Sequence, residues 1–137
     1  MSAMTPEERI ALTQTIMGVL DEWGLQSDHI VAVVGLPDKT PKRNIRKFRE
    51  GLAFPDSDEV MAHLEHLVGI ITSLRTTYPM NPQMGTHWMR RANRLFDNRP
   101  PLQIMVEEGL KGLVAVRTHL DCTYDWQMDD ERSGINN

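Results

Sequence analysis

The sequence contains a single cysteine, Cys122, among 137 residues. One thiol excludes an internal disulfide and a zinc site built from cysteines. The chain also lacks an apolar run near the roughly 18 residues that a membrane-spanning helix needs, and it begins without a charged-then-apolar leader. We therefore expect a cytoplasmic protein that does not partner with a membrane.

Patterns that carry catalysis are missing as well. No nucleophile stands in a recognisable pattern with a general base, and no glycine loop has the spacing that cradles phosphate. His63 and His66 are three residues apart on a predicted helix, a spacing that could ligate a metal, but no third ligand is evident. A solvated or partner-facing helix surface is the better interpretation of this pair. The sequence thus predicts no enzyme, no cofactor and no metal.

Basic residues are few but concentrated. The net charge is −4, yet six of the fifteen basic residues fall within residues 39–49. They are Lys39, Lys42, Arg43, Arg46, Lys47 and Arg49. A local excess of this kind in an acidic protein indicates a placed binding surface, although a solvated helix face can also be basic.

Helix signals dominate the first half. Thr5 and Glu8 form a capping box around Pro6, and we expect Ser27 and Thr40 to cap the next two helices. The valines after Ser27 also suit a strand, but no second β-rich run exists to pair with it. A fourth helix is predicted from the Phe54–Glu59 boundary to about Thr77. Its apolar seam consists of Val60, Leu64, Leu67, Ile71, Leu74 and Tyr78.

Prolines and glycines separate the two halves. Pro79, Pro82 and Gly85 interrupt the helical pattern, so the boundary is predicted between residues 78 and 79. Beyond it, residues 86–95 and 102–121 are predicted to be helical, the latter broken or closely approached at its glycines. The expected fold is all-α: a helix-turn-helix bundle over residues 1–78, followed by a small helical domain over 79–137. We expect an acidic, mobile tail from Met128 to Asn137.

The helix-turn-helix is expected at about residues 27–51. On the predicted third helix, Ile45, Phe48 and Leu52 cluster on one side, while Arg43, Arg46 and Lys47 point to the opposite side. An outward basic helix backed by an apolar face is the arrangement that enters the major groove. The candidate DNA-binding residues are Arg43 and Asn44 for base edges, and Lys42, Arg46, Lys47 and Arg49 for phosphates.

The second half carries a recognisable order of residues: Trp88 leads a helix, Asn93 and Phe96 follow, a Pro-Leu pair at Pro101 starts the next helix, and a glycine precedes Val116-Arg117 and Leu120. This order resembles the toxin-binding domain of the MbcA/ParS/Xre antitoxin family. Residues 34–74 also resemble the Xre-like helix-turn-helix that precedes this domain. The turn after Phe96 and the ending from Cys122 to Trp126 depart from the family pattern.

The resemblance implies an antitoxin. Its second half would bind and block a RES-type toxin, which consumes NAD⁺, or a related ADP-ribosyltransferase, and its first half would repress the shared operon, as a homodimer on operator DNA. The alternative is a stand-alone dimeric DNA-binding regulator without a toxin. The candidate toxin-binding residues are Phe96, Met105, Leu113, Val116, Tyr124, Trp126, Asp129 and Asp130. Core packing is the competing interpretation for most of them, and least so for Tyr124 and Trp126.

Overall fold

Seven α-helices and one 3₁₀ turn make up the described part of the chain, in which no strand occurs. The computed structural model describes residues 4–133, with side chains described as far as Cys122. The elements are α1 (Pro6–Glu22), α2 (Ser27–Val34), α3 (Lys42–Glu50), α4 (Asp58–Thr77), α5 (Pro82–Arg90), the 3₁₀ turn (Arg94–Phe96), α6 (Pro101–Glu108) and α7 (Leu110–Ser133). The predicted all-α class is confirmed.

The start of α1 is as predicted. The Glu8 amide donates to the Thr5 hydroxyl at 3.1 Å, and the Thr5 amide donates to the Glu8 carboxylate at 2.8 Å. This reciprocal pair satisfies two amides that a helix end leaves without partners. Gly24, with φ of 82°, then turns the chain out of the helix.

The starts of α2 and α3 differ from the prediction. Ser27 lies inside α2, whose cap residue is Gln26, and no side chain bonds that end. Pro41 caps α3, also without a side-chain bond. The Thr40 hydroxyl instead donates to the Pro37 carbonyl at 2.7 Å, so it stabilises the turn between the helices. A hydroxyl next to a proline turn has this local backbone partner available.

The start of α5 is also earlier than predicted. The Asn81 side chain accepts from the Gln83 amide at 3.2 Å, and Pro82 occupies the first helical position. A proline at that position costs the helix nothing, because its missing N–H would have no partner there. Pro82 therefore begins a helix where we expected a break, and the helix ends at Arg90 rather than continuing to Leu95.

One continuous core joins the two halves. The predicted seam of α4 is buried, from Val60 at 1 % exposed to Leu74 at 6 %. Leu113, Val116 and Leu120 of α7 belong to the same cluster of buried side chains as the apolar residues of α1, α2 and α3. Packing therefore continues across the boundary predicted between residues 78 and 79, and the seam serves the core. The division into two domains stays a prediction.

Gly112 marks the closest approach of two backbones. The chain turns at Gly109, whose φ is 60°, so that α6 and α7 pack against each other. A Cβ at Gly112 would overlap the carbonyl group of Ile104 in α6. The predicted break and close approach at these glycines are both observed.

We expect Gly112→Ala to lower the free energy of unfolding by about 1–3 kcal/mol, because the added methyl must push α6 away from α7. Gly18→Ala is the matched control, since nothing lies within 4 Å of that position on α1. There the alanine should raise stability by about 0.5–1 kcal/mol. Urea denaturation measures both variants, and equal effects of the two substitutions would contradict the close packing.

Candidate functional site

The exposed side of α3 is strongly basic. Ile45 and Phe48 are 1 % and 2 % exposed, and the Phe48 ring meets Phe54 edge-on at 4.9 Å between centroids. The opposite side carries four exposed cations: Lys42, Arg43, Arg46 and Lys47. None of the four forms an ion pair within the described residues. We call these four the α3 basic face.

Leu52 and Asn44 belong to neither the buried side of α3 nor its basic face. Leu52 was expected to share the buried side of α3, but it lies past Gly51 and is 44 % exposed. That prediction is wrong because the chain leaves the helix at Gly51, and the helical register no longer applies. Asn44 is half-buried at the N-terminal end of α3, beside the exposed Arg43.

Arg49 is held by α1. Its Nε donates to Asp21 Oδ2 at 2.8 Å and its Nη2 to Asp21 Oδ1 at 2.7 Å. These hydrogen bonds raise the pKa of the Arg49 guanidinium. Gln14 Nε2 also donates to the Arg49 carbonyl at 3.4 Å. Arg49 therefore fixes α3 on α1 in this structure, whereas the sequence predicted a phosphate contact.

His63 and His66 do not form a joint site. His63 is 5 % exposed, its Nδ1 lies 2.8 Å from the Glu59 carbonyl, and its ring lies against Gly35. The predicted solvated surface is thus wrong for His63, because the glycine leaves room for the ring under the turn after α2. His66 lies 3.3 Å from Arg117 Nη1 instead. Among the described residues, no cluster of three or more metal-ligating side chains occurs.

Three of the candidate toxin contacts are core residues. Met105, Leu113 and Val116 are each 0 % exposed and fill the space between α4, α6 and α7. Their burial fits the competing interpretation that they are core residues. Phe96 is half-buried and packs on the core. The side chains of Tyr124, Trp126, Asp129 and Asp130 lie outside the described residues. Their backbone belongs to α7, which continues to Ser133, into the segment where we expected a mobile tail.

A ring stack joins α5, the 3₁₀ turn and α7. The imidazole of His119 lies 5.9 Å from the Trp88 ring with an interplanar angle of 7°, and the Phe96 ring meets it edge-on at 5.5 Å. Burial in this stack lowers the pKa of His119. The neutral imidazole is therefore the form that this packing favours.

The segment between α5 and α6 is a tightly bonded loop. The Asn93 carbonyl accepts from the amides of Phe96 and Asn98, each at 3.0 Å, and Asn93 and Arg99 form an antiparallel bridge. Leu95 projects from this loop with 70 % of its surface exposed. Leu95 is not among the residues predicted from the sequence, although the Asn93 side chain that accepts from its amide at 2.9 Å is a recognisable turn signal.

The described part of the chain is thus all-α, with a basic face on α3 and a helical second half. Residues 74–123 match the family model of the antitoxin Xre/MbcA/ParS C-terminal toxin-binding domain. The resemblance predicted from residue order is confirmed for this segment, which is similar to that domain. A comparison with curated proteins found no match.

The family match supports a role as the antitoxin of a toxin–antitoxin system, with a toxin as partner. Such a role is typical of a regulatory protein rather than an enzyme. The match includes α5, the 3₁₀ turn, α6 and the first part of α7. No helix in the described residues is long and apolar enough to cross a membrane.

Protonation of His119 should destabilise the fold. Its pKa is lower in the folded chain than its ordinary value of 6.5, so the unfolded chain binds the proton more tightly. The stabilising contribution of the neutral ring is complete above pH 6.5 and is lost as the pH falls through that value toward the lowered pKa. His119→Phe keeps a ring but cannot bind the proton. The free energy of unfolding of the wild type, measured relative to this variant by urea denaturation, should therefore decrease as the pH is lowered. A difference between the two proteins that is independent of pH would contradict the assignment.

Proposed function

We propose that this protein is the antitoxin of a type II toxin–antitoxin system that blocks a RES-type, NAD⁺-consuming toxin or a related ADP-ribosyltransferase. The observation that carries the proposal is the match of residues 74–123 to an antitoxin toxin-binding domain. The inhibition is steric: α7 and the residues after it cover the cleft through which NAD⁺ enters. Within this account, Phe96, Tyr124 and Trp126 are apolar contacts, and Asp129 and Asp130 meet basic groups of the toxin.

We also propose that the first half represses the operon by binding its operator. The α3 basic face supports this DNA-binding role. Its four cations form no ion pair within the described residues, and they lie on a helix whose other side is buried. Arg43 and Asn44, at the N-terminal end of α3, are placed to read base edges, and Lys42, Arg46 and Lys47 hold phosphates. Arg49 positions α3 through Asp21 and is not counted among the phosphate contacts.

Paired half-sites require a dimer, so the proposal includes a cytoplasmic homodimer. The apolar seam of α4 is filled by the chain's own core. The dimer therefore uses another surface.

Replacement of Arg43, Arg46 and Lys47 by alanine should abolish specific binding to the DNA upstream of the gene. Because Arg46 and Lys47 each release a counterion on binding, the salt slope of the remaining affinity should be shallower by about two. Arg75→Ala with Arg90→Ala and Lys111→Ala is the charge-matched control, since it also removes three cations and all three side chains are exposed on other helices. Gel-shift titrations at several salt concentrations give both quantities, and an unchanged slope in the triple variant would remove the DNA-binding arm.

Co-expression with the protein of the neighbouring reading frame tests the toxin arm. We expect that protein alone to stop growth and deplete cellular NAD⁺, and this chain to restore both. The triple α3 variant should still neutralise, because its substitutions lie outside the matched domain. A neighbour that is harmless alone would favour the stand-alone regulator, and one that stays toxic beside this chain would contradict inhibition.

A further inference from the structure

Leu95 is the most exposed large apolar side chain of the loop between α5 and α6. Its exposed fraction is 70 %, while the neighbouring Phe96 and the Trp88 ring of α5 pack onto the core. An isolated exposed leucine needs no explanation. This one lies beside a shallow depression of about 610 Å³ whose lining includes Trp88, Ala92 and Asn93, so the apolar surface continues past the leucine itself.

The loop that carries Leu95 is rigid. Besides the bonds to the Asn93 carbonyl, the Asn93 amide donates to the Arg99 carbonyl at 3.3 Å, and the Arg99 amide donates to the Phe96 carbonyl at 3.1 Å. Asp97 and Asn98 both adopt positive φ, 58° and 63°, a conformation that persists only where its surroundings impose it. Because the loop is ordered before any partner arrives, a partner that binds Leu95 loses little affinity to ordering it.

The charges around Leu95 are positive. Arg91 and Arg94 line the same depression and are exposed, and neither forms an ion pair within the described residues. Arg99 is different, since its guanidinium bonds Glu107 at 3.0 Å and Glu108 at 3.3 Å. Hydrogen bonds from Gln103 and Arg99 also lower the pKa of Glu107. The rim nearest Leu95 therefore carries two cations whose charge is not neutralised.

We propose that Leu95, with Arg91 and Arg94 around it, is the anchor by which this chain binds its toxin. We call this set the Leu95 knob. The complementary surface on the toxin is an apolar pocket rimmed by carboxylates, because an apolar centre within a charged rim is the usual anatomy of a protein interface. The inference rests on the proposed toxin-binding function and assigns a surface to it.

A protein partner fits the Leu95 knob better than DNA does. Phosphate contacts need cations and hydrogen-bond donors, and they gain nothing from an exposed leucine beside two arginines. Leucine burial stabilises a complex only where the partner offers apolar surface. The knob also lies within residues 74–123, the segment matched to a toxin-binding domain.

Binding of the full-length chain to the protein of the neighbouring reading frame tests this assignment. Leu95→Glu should weaken the Kd by about 30-fold or more, the size typical of an interface hot spot. Met80→Glu is the matched control, because Met80 is 93 % exposed in the same domain and should change the Kd by less than about threefold. Circular dichroism confirms that each variant is folded.

Charge reversal tests the rim separately. Arg91→Glu with Arg94→Glu should slow association about tenfold at low salt and reduce its salt dependence, because the attraction becomes repulsion. Arg75→Glu, an exposed arginine of α4, should leave the rate near that of wild type.

The possible results distinguish a failure of the Leu95 knob assignment from a failure of the proposed antitoxin function. Wild-type binding with an unchanged Kd for Leu95→Glu would overturn the assignment of the knob and leave the antitoxin function intact. Absence of wild-type binding would overturn the proposed function and this inference with it. If the double reversal weakened duplex binding and spared toxin binding, the patch would be a DNA contact, and the inference would be wrong.

Discussion

The packing of α7 against α4 is the interaction on which the remaining structure depends. The seam of α4 faces inward over its whole length, and Leu113, Val116 and Leu120 of α7 meet it within one core. This core also holds the inner faces of α1, α2 and α3. The two halves of the chain, which look separable in the sequence, are thus stabilised by shared apolar burial, which is the dominant favourable term in folding.

Because the core is shared, each outward surface is positioned by contacts that reach across elements. The two hydrogen bonds from Arg49 to Asp21 hold α3 on α1 and thereby orient the α3 basic face. His119 of α7 contacts the rings of Trp88 and Phe96, and so holds the 3₁₀ turn that carries Leu95 against α5 and α7. In the proposed account, one core therefore presents a DNA surface and a toxin surface at the same time.

Local signals in the sequence predicted the start of α1 and the buried face of α4 well. The Thr5 capping box and the periodic seam of α4 depend on residues within a few positions of each other, and both are observed. Leu52 and His63 were misjudged because their burial is decided by the path of the chain elsewhere: Leu52 lies beyond a turn, and His63 fits under Gly35.

The candidate toxin site was the least predictable part. Apolar type alone selected Met105, Leu113 and Val116, which are buried. Apolar type did not single out Leu95, because helical periodicity does not apply to a loop. The exposure of Leu95 follows from the hydrogen bonds that Asn93 makes within the folded loop. The order and spacing of residues in the second half nevertheless predicted the family whose toxin-binding domain matches residues 74–123, although no single motif is diagnostic.

Hydrogen exchange on the full chain, alone, with its upstream DNA and with the neighbouring protein, tests most directly whether one core carries two separate surfaces. The account predicts slow exchange in α4 throughout, protection of residues 42–50 by DNA, and protection of residues 88–99 by the toxin. Toxin-induced protection confined to α3, with residues 88–99 unchanged, would contradict it.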